Sequence, residues 1–323
     1  MKHVLSAICI GIPMGLSAGV ATVVDEHILP AHSAFSARTA DLVTATQTCD
    51  TPAMRVGYHA AFDAWMGLSH IQFGPIETEG LTLAITFWPD PKNQTEKAVS
   101  RLIAAQDPAV QDDAEFAEVS VAAQGLMALE SMLYGGRDQT AYDCALIHAM
   151  AVRLAANAQT LEADWRDGHA AVLKTPGADN PRYQNIAEAQ RVIYTALSSG
   201  LEFLHDQRLG RPLGTFDRPR PKRAEARRSD RSLRNITLHL TALQDLAVAL
   251  AGADIPKTKA AFLNAINRAE SLDDPALQGV ADPAERFRIE VLQQAVAGIQ
   301  MAISEEIGTG LGVRAGFNSL DGD

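Results

Sequence analysis

An all-α fold built as two helical bundles is what these 323 residues predict, and three observations carry that prediction. Apolar residues recur three and four positions apart along nearly the whole chain, the spacing of amphipathic helices. Runs of alternating or β-branched residues are almost absent, and Leu81 to Phe87 (LTLAITF) is the one stretch suited to an extended strand. A polar break at Lys174 to Arg182 (KTPGADNPR), with two prolines and a glycine, suits a linker between halves.

Met1 to Ala21 reads as a secretory signal: Lys2 and His3 give a basic start, Val4 to Leu16 are mostly apolar, and the small residues Gly19 and Ala21 flank a cut. Pro13 and three glycines argue against a membrane anchor, which needs about 20 uninterrupted apolar residues. Cys9 follows Ile8 inside the apolar stretch, so lipidation is not expected. Export to the periplasm, with a mature chain from Thr22, is the expectation.

The first bundle is expected over 22–175. It opens with a helix from Val24 to Thr48 that buries Leu29, Phe35 and Leu42 and tolerates Pro30 near its start. Asp50 or Thr51 caps a helix over Pro52 to Gln72. Gly74-Pro75 ends it, and the proline spacing of Trp88-Pro89-Asp90-Pro91 makes Ile76 to Asn93 an irregular connector. Helices over Glu96 to Ala105, Asp112 to Tyr134, and Asp138 or Thr140 to Asp167 complete the set. Beyond the linker at 176–182, the second bundle (183–323) takes helices over Tyr183 to Asp206, Ser229 to Ala251, Pro256 to Leu272 and Pro283 to Ile307. Asp282 caps the last, and Leu233, Ile236, Leu240, Leu243, Ala247 and Leu250 form a core stripe on the second.

A net charge of −11 gives the chain no general attraction to nucleic acid or anionic membrane, so partners are sought at local sites. Cys49 and Cys144 lie near places where one helix hands over to the next, and in an oxidising compartment a disulfide between them is expected; two free buried thiols are the alternative.

Chemistry concentrates in Val121 to Gly136 (VAAQGLMALESMLYGG). Gly125 lets another backbone approach closely, and Glu130 sits among apolar residues, where a carboxylate must find a donor or cation or hold its proton. The competing reading is a structural carboxylate. Arg208 to Arg234 carries ten Lys or Arg against three acids, a reversal in an acidic chain. Ser229 is placed to cap the following helix; if that helix start meets Glu130 across the bundles, Arg231 or Arg234 would neutralise the carboxylate or hold an anionic ligand. Trp65, Phe73 and Trp88 flank the connector as pocket walls or as ordinary core. His59, His70, His148, His169, His205 and His239 are dispersed, with His70 expected to face solvent. No H-E-x-x-H, phosphate loop or nucleophile elbow is present. Asn318 to Asp323 is read as a docked terminus, and a faint likeness between Gly125–Glu130 and Gly200–His205 is compatible with a duplicated bundle.

Gly125-Leu-Met-Ala-Leu-Glu130 with Tyr134-Gly135 resembles the G-x-H-x-x-E motif of the imelysin family. Ala64-Trp65, Phe73-Gly74-Pro75, Trp88-Pro89-Asp90, Arg227 to Asn235 (RRSDRSLRN), Gly316-Phe317-Asn318 and Leu320-Asp-Gly-Asp323 follow in the family's order, from about Ile28 to the C-terminus. The resemblance implies a periplasmic protein associated with iron uptake or regulation, or with the metallopeptidase activity proposed for the family. It also implies a metal ion such as iron as cofactor, with Glu130 the matching ligand. Met127 stands where the motif has histidine, and a soft thioether does not replace imidazole for ferric iron or zinc. The expected binding residues are Gly125, Met127, Glu130, Trp65, Trp88, Ser229, Arg231 and Arg234. The leading functional expectation is a periplasmic binding or accessory protein with a polar site between the bundles, taking a small ligand or metal and a periplasmic or membrane protein partner. The alternatives are a metal-dependent peptidase using Glu130, and a structural interaction protein that has lost the metal site.

Overall fold

The expected helical spacing becomes a long first helix, α1 (residues 15–46), which joins Gly15–Thr22 and Leu29–Thr46 through a π-helical turn at Val23–Ile28. Pro30 lies two positions past that turn; a proline lacks the amide that would bond one turn back and crowds the carbonyl there, and a locally widened helix accommodates both effects. A computed structural model describes residues 15–77, 80–137 and 139–312 of the chain. Most of the expected signal segment and the Asn318 to Asp323 tail lie outside these residues, as do the family pieces at Gly316 and Leu320.

After α1 come α2 (Thr51–Met66), a single-turn α3 (Leu81–Ile85), α4 (Gln94–Ala105), a short α5 (Asp113–Ala117), α6 (Gly125–Tyr134) and α7 (residues 141–174). The later helices are α8 (residues 186–213), α9 (Ser232–Ala251), α10 (Pro256–Glu270) and α11 (residues 283–308). The C-terminal half of α1 packs against α2 and α7, with α4, α5 and α6 closing that bundle. In the second bundle α8 packs on α9 and α11, and α10 lies between α9 and α11. The N-terminal part of α1 crosses over to pack on α8 and α9, and a continuous apolar core runs through both bundles.

Local chemistry explains several helix starts, although at α2 the N-cap residue Asp50 makes no side-chain cap and Thr51 bonds Gln139 instead. Thr140 and Asp143 form a reciprocal capping box on α7, Asn185 caps α8 through the amide of Glu188, and Asp282 caps α11 through Ala284 and Glu285. The expected stripe on α9 is buried from Ile236 to Leu250, with Leu233 partly buried at its edge. Cys49 and Cys144 form a disulfide, Cα to Cα 5.5 Å, which ties the end of α1 to the first turn of α7.

Three expectations change. Leu81–Ile85 is a helical turn instead of an extended piece, with Leu81 and Ile85 four residues apart turned toward the core. The expected helix from Asp112 to Tyr134 is broken into α5, a 3-10 turn at Val121–Ala123, and α6. Gln124 is extended and Gly125 has φ +69°; a Cβ on Gly125 would lie 2.3 Å from the carbonyl oxygens of Ala84 and Ile85. The close approach of the α3 backbone therefore sets the break, and only glycine fits it. The helix expected from Ser229 begins at Ser232 instead, because Arg227–Ser229 forms a 3-10 turn with other partners.

Candidate functional site

Gly125 starts α6 against α3, and one turn on from Leu126 the helix presents Glu130, only 2% exposed, toward the Arg227–Ser229 turn. One carboxylate oxygen, Oε1, accepts from the Ser229 amide at 3.0 Å and lies 2.9 Å from the Ser229 hydroxyl. That hydroxyl is also 3.0 Å from the Ala226 carbonyl, and Tyr58 Oη stands 3.4 Å away. A hydroxyl has one proton, so it cannot donate to both Glu130 and Ala226. A protonated Glu130 resolves the conflict by donating to Ser229 Oγ, which then donates to Ala226. Burial pushes the Glu130 carboxyl up from its usual range, and Ser229 and the Arg228 guanidinium offset part of that shift.

Arg231 and Arg234, expected as partners of Glu130, are engaged elsewhere. Fully buried Arg231 donates from Nη2 to Asp63 Oδ1 at 2.6 Å and from Nη1 to His59 Nδ1 at 2.8 Å, and its guanidinium lies 4.7 Å from the centre of the Phe62 ring. Arg234 donates to both oxygens of Asp63. Burial raises the Asp63 carboxyl, but the hydrogen bonds from Arg234 and Arg231 outweigh it and hold the group below its ordinary value. His59 accepts at Nδ1, so its proton sits on Nε2, 2.7 Å from Tyr134 Oη. These contacts lock α2 to the start of α9, with Ser229 joined to Glu130 beside them.

In front of Glu130 lies a cleft of about 170 Å³. Arg211, Lys222, Arg223, Arg227 and Arg228 line it together with Asp90, Glu96 and Glu130. Arg228 pairs with Glu96 at 3.2 Å, whereas Arg211 Nε finds no partner among the described residues. Burial, then the neighbouring Arg223, holds the Arg211 guanidinium below its ordinary range. Met127 is half-buried, packs against the core and lines the same cleft, as does Trp88. Trp65 is buried and meets Trp88 around a second cavity, while Phe73 packs edge-on against Trp165 in the core. The basic run at Arg208 to Arg234 signalled the cleft cations; Tyr58, His59 and Asp63 depend on how α2 meets α9, which no local pattern encodes.

With Glu130 Oε1 engaged by Ser229 and a thioether at Met127, the motif's donor set does not fit a resident iron or zinc ion. Among the described residues no three His, Cys, Asp or Glu side chains converge as a metal site. No described helix is long and apolar enough to cross a membrane.

Residues 28–303 match the sequence model of the Imelysin family (Peptidase_M75). The chain belongs to the imelysin family. Iron-regulated protein A of Synechococcus elongatus is 25% identical over 224 residues, 66% of this chain and 59% of that relative, so the alignment spans less than two thirds of the relative's length. An imelysin-like protein from Psychrobacter arcticum 273-4 shares the fold with a TM-score of 0.80 at 19% identity, over 96% of this imelysin-family chain and 100% of the other. A protein from Parabacteroides distasonis ATCC 8503, described as an iron-regulated protein A precursor, aligns with a TM-score of 0.75 at 15% identity, over 91% and 94% of the two chains.

Proposed function

We propose that this imelysin-family chain is an exported accessory protein of the periplasm that binds an anionic, oxygen-rich ligand in the cleft beside Glu130, and that iron reaches it in the form of such an anion. The observation carrying this reading is the cleft's composition: five cationic side chains against Asp90, Glu96 and Glu130, whose carboxyl burial raises above its ordinary value. Guanidinium groups recognise carboxylate and phosphate oxygens through paired hydrogen bonds, and partial burial strengthens each. The N-terminal basic and apolar pattern supports export, and the iron-regulated relatives support iron as the cargo to test first.

Calorimetric titration of the intact mature protein with citrate and with ferric citrate tests the reading. Saturable binding is expected, weakened about tenfold or more in an Arg227→Gln/Arg228→Gln variant that loses two guanidinium contacts. Absence of saturable binding of either anion, or equal affinity in the variant, contradicts it.

A further inference from the structure

A second cavity, of about 200 Å³, lies on the other side of Trp88 and is built differently. Its walls combine the rings of Trp65, Trp88 and Phe203 with polar groups from three segments: Ser69 and His70, Thr86, and His239 of α9. Trp65 Nε1, Ser69 Oγ, His70 Nδ1, Thr86 Oγ1 and His239 Nε2 are all buried and find no partner among the described residues. Leaving one buried donor or acceptor unmatched is costly, and five around one cavity is far from the usual satisfaction of protein interiors.

The network behind the cavity fixes what these groups offer. Arg208, buried, is paired with Glu225 at 2.8 Å and donates through Nη1 to His239 Nδ1. A guanidinium only donates, so His239 Nδ1 accepts and the single proton of the neutral ring sits on Nε2. Nε2–H and the Trp65 indole N–H are therefore fixed donors, and the Ser69 and Thr86 hydroxyls turn to suit a ligand. Glu225 is held by Asn235 Nδ2 at 2.9 Å as well as by Arg208. His70 Nε2 is 2.8 Å from His27 Nε2, and its ring stacks on His239 with centroids 5.7 Å apart. Burial and neighbouring charges hold His70 and His239 well below the ordinary histidine range, so both are neutral near pH 7. The Arg208 and Glu225 charges cancel, and the wall as a whole is uncharged.

Gly200 keeps the donor open. A Cβ at that position would lie 2.7 Å from Leu243 Cδ2, 3.0 Å from His70 Cβ and 3.6 Å from His239 Nε2, filling the space in front of the imidazole.

The geometry points to a binding site for a small uncharged organic molecule, a flat apolar body carrying an oxygen acceptor, held between Trp65, Trp88 and Phe203 with its oxygen on His239 Nε2–H and Trp65 Nε1–H and the Thr86 hydroxyl bonded to its polar edge. Aromatic walls with a few placed donors are the usual make-up of such sites. Cancelled charge disfavours an ion, because the cavity offers no net compensation for its lost hydration.

Benzamide is the probe, with benzoate as its charged counterpart and toluene as the body without the acceptor, each titrated by calorimetry into the intact protein. Benzamide is expected to saturate and to bind more tightly than either comparator. Loss of one donor in Thr86→Val or in Trp65→Phe should weaken it about tenfold while the thermal midpoint stays within a few degrees. Gly200→Ala should abolish binding. Thr86→Val alters one hydroxyl, so the test survives if the other two variants fold poorly. No saturation by benzamide, equal binding of toluene and benzamide, or unchanged benzamide affinity in Thr86→Val overturns the proposal.

Discussion

Glu130 Oε1 accepts from the amide of Ser229, 99 positions later in the chain, at 3.0 Å and lies 2.9 Å from its hydroxyl. This junction joins the family motif on α6 to the turn that precedes α9, and the basic cleft opens beside it.

The junction predicts how Glu130 responds to pH. Its folded-state pKa is raised, so the native state holds a proton that the unfolded chain has released, and stability falls as pH rises from the unfolded value through the folded one. Glu130→Gln, which mimics the protonated form, should be at least as stable as the parent at pH 7 and should lack that fall. Urea midpoints of both proteins from pH 4 to 8 check this; a variant markedly less stable at pH 7 contradicts it.

Ser229→Ala removes the hydroxyl but keeps the amide donor. With a buried carboxyl losing one of its two Ser229 partners, about 1–3 kcal/mol of stability should be lost. Chemical denaturation measures it. The Glu130→Gln/Ser229→Ala double variant should lose less than the sum of the two single effects if the side chains are coupled.

The buried histidines act in the opposite sense to Glu130. Burial lowers His27 and His32 to about 4 and holds His70 and His239 well below the ordinary histidine range. Between the unfolded histidine value and those values the unfolded chain takes up protons that the native rings refuse, so stability declines as pH drops below roughly 6.5. Acid unfolding should therefore start above the carboxylate range. His32→Phe should make the decline shallower; an identical slope in the variant refutes this assignment.

The disulfide closes a separation of 95 residues between Cys49 and Cys144. Cross-linking a loop of that size restricts the unfolded chain, and Cys49→Ser/Cys144→Ser should cost about 2–5 kcal/mol. Urea unfolding of the oxidised parent and the double serine variant gives the difference.

Legibility in the sequence followed the range of the interaction. The α9 stripe from Ile236 to Leu250, the Asp282 cap and the Cys49–Cys144 bridge were readable from spacing, residue type and compartment. Gly125 was recognisable as a point of close approach, yet its break in the helix depends on the Ala84 and Ile85 carbonyls above it. Ser229 has the residue type and position of a helix cap, but its amide and hydroxyl engage Glu130, and α9 starts three residues later. His70, expected at the surface, is buried between His27 and His239, an arrangement created by α1, α9 and the segment after α2 converging. Such meetings are properties of docked helices, and a single amphipathic pattern contains no trace of them.

The central claim is that the cations beside Glu130 bind an anion, and the salt dependence of citrate affinity tests it most directly. Calorimetry of the intact protein across rising sodium chloride should show affinity falling steadily, with a shallower fall in Arg227→Gln/Arg228→Gln, because ionic screening weakens charge-assisted contacts. An affinity indifferent to salt, or the same slope in parent and variant, would contradict the account.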